Sequence, residues 1–401
     1  MKVAIVTAFP PSKVTLNEYA FHLTKAFALN SDVEEITLLT DHVEDVENIP
    51  AINDGCKVNV VPCWKFNSYH NIATVSKAVK NAKADVVLFN LQFLKFGDKK
   101  IPAALGLMLP WICRMQGTPS MVLLHNIMEE VDLNNAGIES NKLMEWTYKM
   151  IGKGLTRMIL QANKVAVTIH KYQETLEKVY GVNNVVTIPH GTFELPTETP
   201  NFKEPEEKLQ VMAFGKFGTY KKVESMIEAV ELVKKRTGKA IETVIAGTDN
   251  PNVKGYLNNV AEQYKYVSDL KFTGYVEEED VPLIFKSSTL VCFPYTSTTG
   301  SSGVLHQAGS YGKAVVMPEI GDLSRLITDE GYQGAFFQPE DVSSLADAIE
   351  KVLMDPTYRI EMAKTNFKAA TAYPLSKISE MYVDNFKEFT SVQQMSKALA
   401  A

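Results

Sequence analysis

Three stretches of the chain gather side chains suited to phosphate, sugar or proton-transfer chemistry. The first is the polar loop from Tyr295 to Val304, which includes Thr299, Gly300, Ser301, Ser302 and Gly303. It follows the apolar run Leu290 to Phe293 and opens a helical pattern. Amides at a helix N-terminus lack intrahelical acceptors, and Gly and Ser allow close approach, so such a loop can hold phosphate or sugar hydroxyls. The same composition also makes an ordinary surface turn with a Ser cap, and the pattern alone does not separate the two.

The second stretch is Gly215-Lys216-Phe217-Gly218-Thr219-Tyr220-Lys221-Lys222, directly after the apolar run Gln210 to Phe214. Lysines at the carboxyl edge of a strand can neutralise a diphosphate whose charge grows as it leaves, most effectively where water is scarce. A solvated basic turn is the plainer explanation. Taken together with the Ser/Gly loop, the phosphate reading is the better one. In the third stretch, His125 ends the run Val122-Leu123-Leu124. A histidine there can hydrogen-bond a hydroxyl or stabilise developing charge. The neighbouring Asn126, Glu129, Glu130 and Asp132 supply polar groups for an acceptor. His170 and His190 follow similar runs and read as structural.

Other chemistries are weakened by what the sequence lacks. It contains no Walker A, Gly-x-Ser-x-Gly or Gly-x-Gly-x-x-Gly motif, which lowers kinase, hydrolase and dehydrogenase readings. No Asp-x-Asp follows a strand and no His/Glu cluster has metal spacing, so no metal or other cofactor is expected. Glu277 to Asp280 reads as negative charge at a helix start. The four cysteines match neither a zinc site nor a redox motif, and reduced thiols are expected. A net charge of -6 lacks the basic face that nucleic acid requires.

The elements that must position these residues alternate as apolar runs and helical periods, the pattern of parallel strands joined by crossover helices. Strands are expected at Val3 to Thr7, Glu35 to Leu39, Val58 to Val61, Val86 to Asn90, Ser120 to His125, Lys164 to Thr168 and Val185 to Pro189. Thr15 or Asn17 can cap the first helix, and Ile101 to Cys113 reads as one packed helix. Lys142 to Arg157 could rest on a membrane surface, but reads better as a domain helix interrupted near Gly152 and Gly154. A linker from Leu195 to Lys208 carries Pro196, Pro200 and Pro205. The alternation then restarts with strands at Gln210 to Phe214, Glu242 to Ala246, Lys271 to Thr273, Leu290 to Phe293 and Ala314 to Met317. The expectation is an α/β chain of two doubly wound domains, residues 1–195 and 205–374, with helices of about 375–401 packing back on the first. The two would face each other across a cleft that binds ligand. The N-terminus moves straight into a strand pattern without a signal-peptide core, so a cytoplasmic location is expected.

At these residues the sequence resembles glycosyltransferase family 4, the retaining nucleotide-sugar transferases of GT-B fold, built from two Rossmann-like domains. The resemblance runs through Thr7 to Pro11, Leu124-His125-Asn126, Ile188 to Gly191 and Phe214 to Lys221. It continues in Val244 to Gly247, Phe272 to Val276, Gly303 to Ala308 and Tyr311 to Val316. It implies that Lys216 and Lys221 hold the donor diphosphate, that Val276 meets the base through its backbone, and that Gly300 to Gly303 face the donor sugar and phosphate. His125 would contact the donor sugar near the reacting centre, Thr15 and Gly215 would lie on the donor side, and Asn126 and Glu129 on the acceptor side. The partners implied are a nucleotide-sugar donor and a carbohydrate, lipid-linked or small hydroxyl acceptor; peripheral membrane contact through the first domain is the alternative that Lys142 to Arg157 leaves open. Front-face attack, with the leaving diphosphate taking the acceptor's proton, would need no metal and no protein base.

Two departures mark an atypical subgroup. Thr299 and Gln307 stand where the family usually has two glutamates, and Val14-Thr15 replaces the glycine pair of the first loop. Gln307 retains an amide for a ribose hydroxyl, whereas Thr299 supplies no carboxylate. A nucleotide-sugar epimerase or sugar phosphorylase of the same fold, or a GT-B subunit that binds without catalysis, remain alternatives.

Overall fold

The structure is a computed structural model that describes residues 1–12, 14–44, 48–127, 142–193, 198–202, 209–250, 253–297, 302–320 and 323–400. The chain divides into two compact units, Met1–Phe193 with Leu375–Ala401, and Glu194–Pro374.

Unit 1 is built on seven parallel strands: β1 (Lys2–Val6), β2 (Glu35–Asp41), β3 (Lys57–Trp64), β4 (Val86–Leu91), β5 (Ser120–Leu124), β6 (Lys164–Val167) and β7 (Val185–Thr187). Their order is β3-β2-β1-β4-β5-β6-β7. Every residue of β4 and β5 is buried, because helices cover both faces of a parallel sheet and leave no strand face for solvent. Val3 pairs with Ile36 on one side and Val86 on the other. The chain therefore reverses its direction of travel across the sheet between β1 and β4. The helices are α1 (Asn17–Ala28), α2 (Asn71–Ala82), α3 (Lys100–Leu107), α4 (Leu109–Met115), α5 (Lys142–Ile159) and α6 (His170–Tyr180).

Unit 2 repeats the plan with β8 (Leu209–Phe217), α7 (Glu224–Thr237), β9 (Ile241–Asp249), α8 (Tyr256–Gln263), β10 (Leu270–Gly274), α9 (Val281–Ser287) and β11 (Leu290–Cys292). It continues through α10 (Gly303–Ser310), β12 (Ala314–Pro318), α11 (Leu323–Asp329), β13 (Ala335–Phe337), α12 (Val342–Met354) and α13 (Pro356–Ala372). The order β10-β9-β8-β11-β12-β13 puts the reversal between β8 and β11. The last helix, α14 (Leu375–Ala400), belongs to unit 1, where Tyr382 and Phe386 pack on Phe27 of α1 at ring-centroid distances of 5.8 and 6.0 Å.

Several local expectations are corrected. Neither Thr15 nor Asn17 caps α1: the cap position is Leu16, at φ 70, and no side chain bonds the first turn. The Thr15 hydroxyl is taken by Gln92, and the Asn17 amide donates to the Ser12 carbonyl at 2.9 Å. The expected helix over Ile101 to Cys113 is two helices meeting at Met108, since Pro110 has no N–H to continue the ladder. Conversely, α5 runs unbroken through Gly152 and Gly154. A glycine costs a helix interior about 1 kcal/mol, less than packing against α3 and α4 can return. Strand β13 adds to the strands expected in the second unit. With three residues, β13 is too short to show a period, whereas α13 carries a start signal in Asp355-Pro356, with the Asp355 carboxylate accepting from the Tyr358 amide at 2.9 Å.

Candidate functional site

In unit 2 the reversal between β8 and β11 leaves two loops side by side at the carboxyl ends of the strands, where open α/β sheets bind ligands. The β8 loop is the basic stretch and the β11 loop is the start of the Ser/Gly stretch. They are tied together by backbone bonds. The Lys222 amide donates to the Pro294 carbonyl at 3.1 Å, the Thr296 amide donates to the Tyr220 carbonyl at 2.8 Å, and Lys221 and Tyr295 form an antiparallel bridge. A tight turn from the Gly218 amide to the Lys221 carbonyl, 3.0 Å, closes the first loop.

This stitching places the Lys221 ammonium 4.7 Å from the centre of the buried Tyr295 ring and 5.8 Å from that of Tyr220. Aromatic faces attract a cation but do not cancel its charge. Among the described residues no carboxylate pairs with it. Burial pushes its pKa below the ordinary lysine value. Lys216 is exposed on the same strand end.

Gly215, at φ 133, lies beneath Lys221: a Cβ there would come within 3.2 Å of the lysine Nζ. Its neighbour in β9, Gly247 at φ 136, approaches so closely that a Cβ would sit 1.9 Å from the Gly215 carbonyl oxygen. Only glycine fits either position. Ser302 precedes α10 in extended conformation and makes no side-chain cap, so the alternative of a simple Ser cap does not describe it. Gly303 opens α10, Gln307 is half-buried one turn on, and Val276 follows the carboxyl end of β10, all in the same unit. Thr299, Gly300, Ser301 and Glu129 lie outside the described residues.

In unit 1, His125 immediately follows β5. Its Nε2 lies 2.7 Å from Asn90 Oδ1, while the Asn90 amide donates to Thr7 Oγ1 at 3.1 Å and the Thr7 hydroxyl donates to the Ala8 carbonyl at 2.9 Å. A chain running in that direction puts the proton on Nε2 and leaves Nδ1 as the acceptor. Burial above all, then the charges of His190 and Lys95, push the pKa of His125 well below its ordinary value. The ring is therefore neutral and can accept a hydrogen bond from a hydroxyl. Beside it, Asn126 has a buried Oδ1 with no hydrogen-bond partner among the described residues.

Sequence reasoning set His190 aside, yet it joins this cluster. Its ring centre is 4.5 Å from that of Tyr19 and 6.1 Å from that of His125, and Tyr19 meets His125 edge-on at 5.1 Å. The available signal was that both histidines follow strands of one sheet. His170 sits at the start of α6, exposed and 3.5 Å from Glu174. Asp41, Gln92 and Lys95, at the ends of β2 and β4, were also missed.

The architecture is that of the GT-B class, two Rossmann-like α/β domains on parallel sheets, and the comparisons agree. Residues 196–369, within the second unit, match the family described as Glycosyl transferases group 1. Among curated proteins, the chain is 23% identical over 215 residues to the serotype-specific mannosyltransferase WbdA of Escherichia coli, covering 53% of this chain and 25% of that one. It is 27% identical over 185 residues to the alpha-D-kanosaminyltransferase of Streptomyces kanamyceticus, covering 46% of each. The chain thus spans between a quarter and a half of these relatives' length. A solved sucrose-phosphate synthase from Thermosynechococcus elongatus superposes with a TM-score of 0.73 at 16% identity, covering 98% of this chain and 100% of that one.

The burial of His190 makes stability depend on pH. His190 is pushed down to about 4 by burial, against an ordinary value near 6.5. The unfolded chain therefore binds a proton that the folded chain refuses, and stability falls as pH drops from about 6.5 to about 4. Such a histidine costs at most about 1.4 kcal/mol per pH unit in that window. In urea titrations from neutral pH downward, His190→Gln should lose less stability across this window than wild type does. Equal losses would mean that His190 is not held neutral.

Proposed function

We propose that this protein transfers a hexose from a nucleotide-sugar donor to a hydroxyl acceptor with retention of anomeric configuration, as the resemblance to glycosyltransferase family 4 implies. The observation that carries this reading is Lys221, a cation set against aromatic rings at the β8–β11 reversal, without a carboxylate among the described residues. A diphosphate is the complement to such a group. The amides that open α10 supply further donors, and Lys216 adds a second positive charge on the same strand end.

In this reading Gly215 allows the diphosphate close approach, Val276 meets the base, and Gln307 binds a ribose hydroxyl. Gly300 to Gly303 bind the donor sugar and phosphate, with Thr299 on the donor side. Neutral His125 accepts a hydrogen bond from a hydroxyl of the sugar through Nδ1, and Asn126 and Glu129 serve the acceptor. The acceptor hydroxyl attacks the anomeric carbon on the face from which the diphosphate leaves. As the C–O bond to the diphosphate breaks, a departing phosphate oxygen takes the acceptor's proton, with Lys221 and Lys216 stabilising the charge. No metal enters these steps. The names of the curated relatives, a mannosyltransferase and a kanosaminyltransferase, support transfer rather than epimerisation or phosphorolysis.

The reading includes a cytoplasmic location and an acceptor at a membrane surface. Exposed Ile101, Met115, Met150 and Ile151 lie on the packed helices α3, α4 and α5, interspersed with the exposed basic residues Arg114, Lys153 and Arg157. Among the described residues no helix is long and apolar enough to cross a membrane. Co-sedimentation with vesicles of anionic phospholipid, reduced by Met150→Ser with Ile151→Ser, is expected. Equal recovery with and without vesicles would remove this part.

The central test is Lys221→Ala. Losing a charged hydrogen bond to phosphate should weaken nucleoside-diphosphate binding about tenfold or more, with turnover falling alongside, while the melting temperature without ligand changes little. Unchanged affinity in a folded variant would remove the diphosphate from this loop.

A further inference from the structure

Unit 1 has its own reversal, between β1 and β4, and its loops are held by a buried charged group with no part in the scheme above. Lys95, just past β4, is only 1% exposed. Its Nζ donates to the Thr15 carbonyl at 2.8 Å, and the Gln92 amide donates to the Thr15 hydroxyl oxygen. From the end of β2, Asp41 accepts the Ser12 hydroxyl at 2.5 Å, and the Ser12 oxygen accepts the Val14 amide at 3.1 Å. The other Asp41 oxygen is buried with no hydrogen-bond partner among the described residues. Groups from β2 and β4 thus grip the segment that leaves β1, while Thr15 itself remains on the surface. Because Thr15 Oγ1 accepts from Gln92, its own proton is directed elsewhere and is free to be donated.

We propose that Lys95, acting with Asp41 and Gln92, is a positioning residue that fixes the β1–α1 loop so that the Thr15 hydroxyl donates to an oxygen of the ligand bound at this reversal. The ligand's identity as a nucleotide sugar rests on the proposed transfer reaction, but the brace does not. This arrangement answers the replacement of the family's glycine pair by Val14-Thr15. Where backbone amides would approach the ligand, a side-chain hydroxyl on a clamped loop is presented.

The groups facing Lys95 are Asp41 from β2, whose charge favours the ammonium, the Thr15 carbonyl, and His125 after β5, whose own protonation Lys95 opposes. His190 faces His125 in turn. Burial brings Lys95 down to about 7. As pH rises through that value the ammonium becomes an amine, Asp41 loses its counter-charge, and the clamp weakens. An arginine keeps its charge throughout.

The test is hydrogen exchange on the full chain, corrected for intrinsic rates, with wild type, Lys95→Met and Lys95→Arg on either side of pH about 7. Wild-type peptides covering residues 9–17 should exchange several-fold faster above that pH than below it. Lys95→Met should be fast on both sides, and Lys95→Arg slow on both, with the β4 and β5 amides unchanged. A pH-independent wild-type loop, or Lys95→Met protection equal to wild type, would overturn the brace; the wild-type arm decides even if Lys95→Met fails to fold. In steady-state transfer, Thr15→Val and Lys95→Met should each lower kcat/KM about tenfold, and Lys95→Arg should remove a basic limb near pH 7. Absence of transfer with every donor would count against the proposed reaction and leave the exchange result standing. Wild-type kinetics in Thr15→Val would overturn the role of its hydroxyl.

Discussion

A parallel sheet in which successive strands are laid first to one side and then to the other must leave one pair of neighbours whose following loops diverge. Each unit of this protein has one such place, between β1 and β4 and between β8 and β11. Helices seal both faces of the sheets, so the strand ends there are the natural opening for chemistry. The chemistry open to each unit follows from what the sequence puts near its own reversal. In unit 2 it puts lysines, glycines and a helix start; in unit 1, a neutral histidine, a threonine and a buried lysine.

The two buried lysines show how one residue type acquires different uses. Lys221 faces ring π-systems and meets no carboxylate among the described residues, so its charge is directed to whatever anion enters. Lys95 sits near Asp41 and is committed to a backbone carbonyl, so its charge is spent inside the fold on the shape of a loop. Burial lowers the pKa of both. The histidines follow the same logic. Removed from water, His125 and His190 are neutral, which fits a hydrogen-bond acceptor and does not fit a permanent cation.

Much of this was legible in the sequence because buried parallel strands leave a strong signal. Runs such as Val86 to Asn90 and Val122 to Leu124 are apolar on both faces, and the residues after them, His125 and Lys216 among them, must lie at strand ends. Contacts between distant segments were not legible. Nothing local says that Lys95 reaches Thr15, that Asp41 receives Ser12, or that His190 stands beside Tyr19, since strand order alone brings them together. Boundaries set by competing small energies were misjudged for a related reason. Gly152 and Gly154 are tolerated within α5 because packing outweighs their cost, whereas Pro110, which lacks a donor, does divide its segment.

Whether a diphosphate meets Lys221 at the β8–β11 reversal is tested most directly by a thermal-shift comparison of nucleoside diphosphates with the corresponding monophosphates. A ligand that binds only the folded chain raises the melting temperature according to its affinity and concentration. At least one of UDP, GDP and ADP should raise it clearly more than its monophosphate does. No shift with any diphosphate, or equal shifts for mono- and diphosphate, would contradict the account.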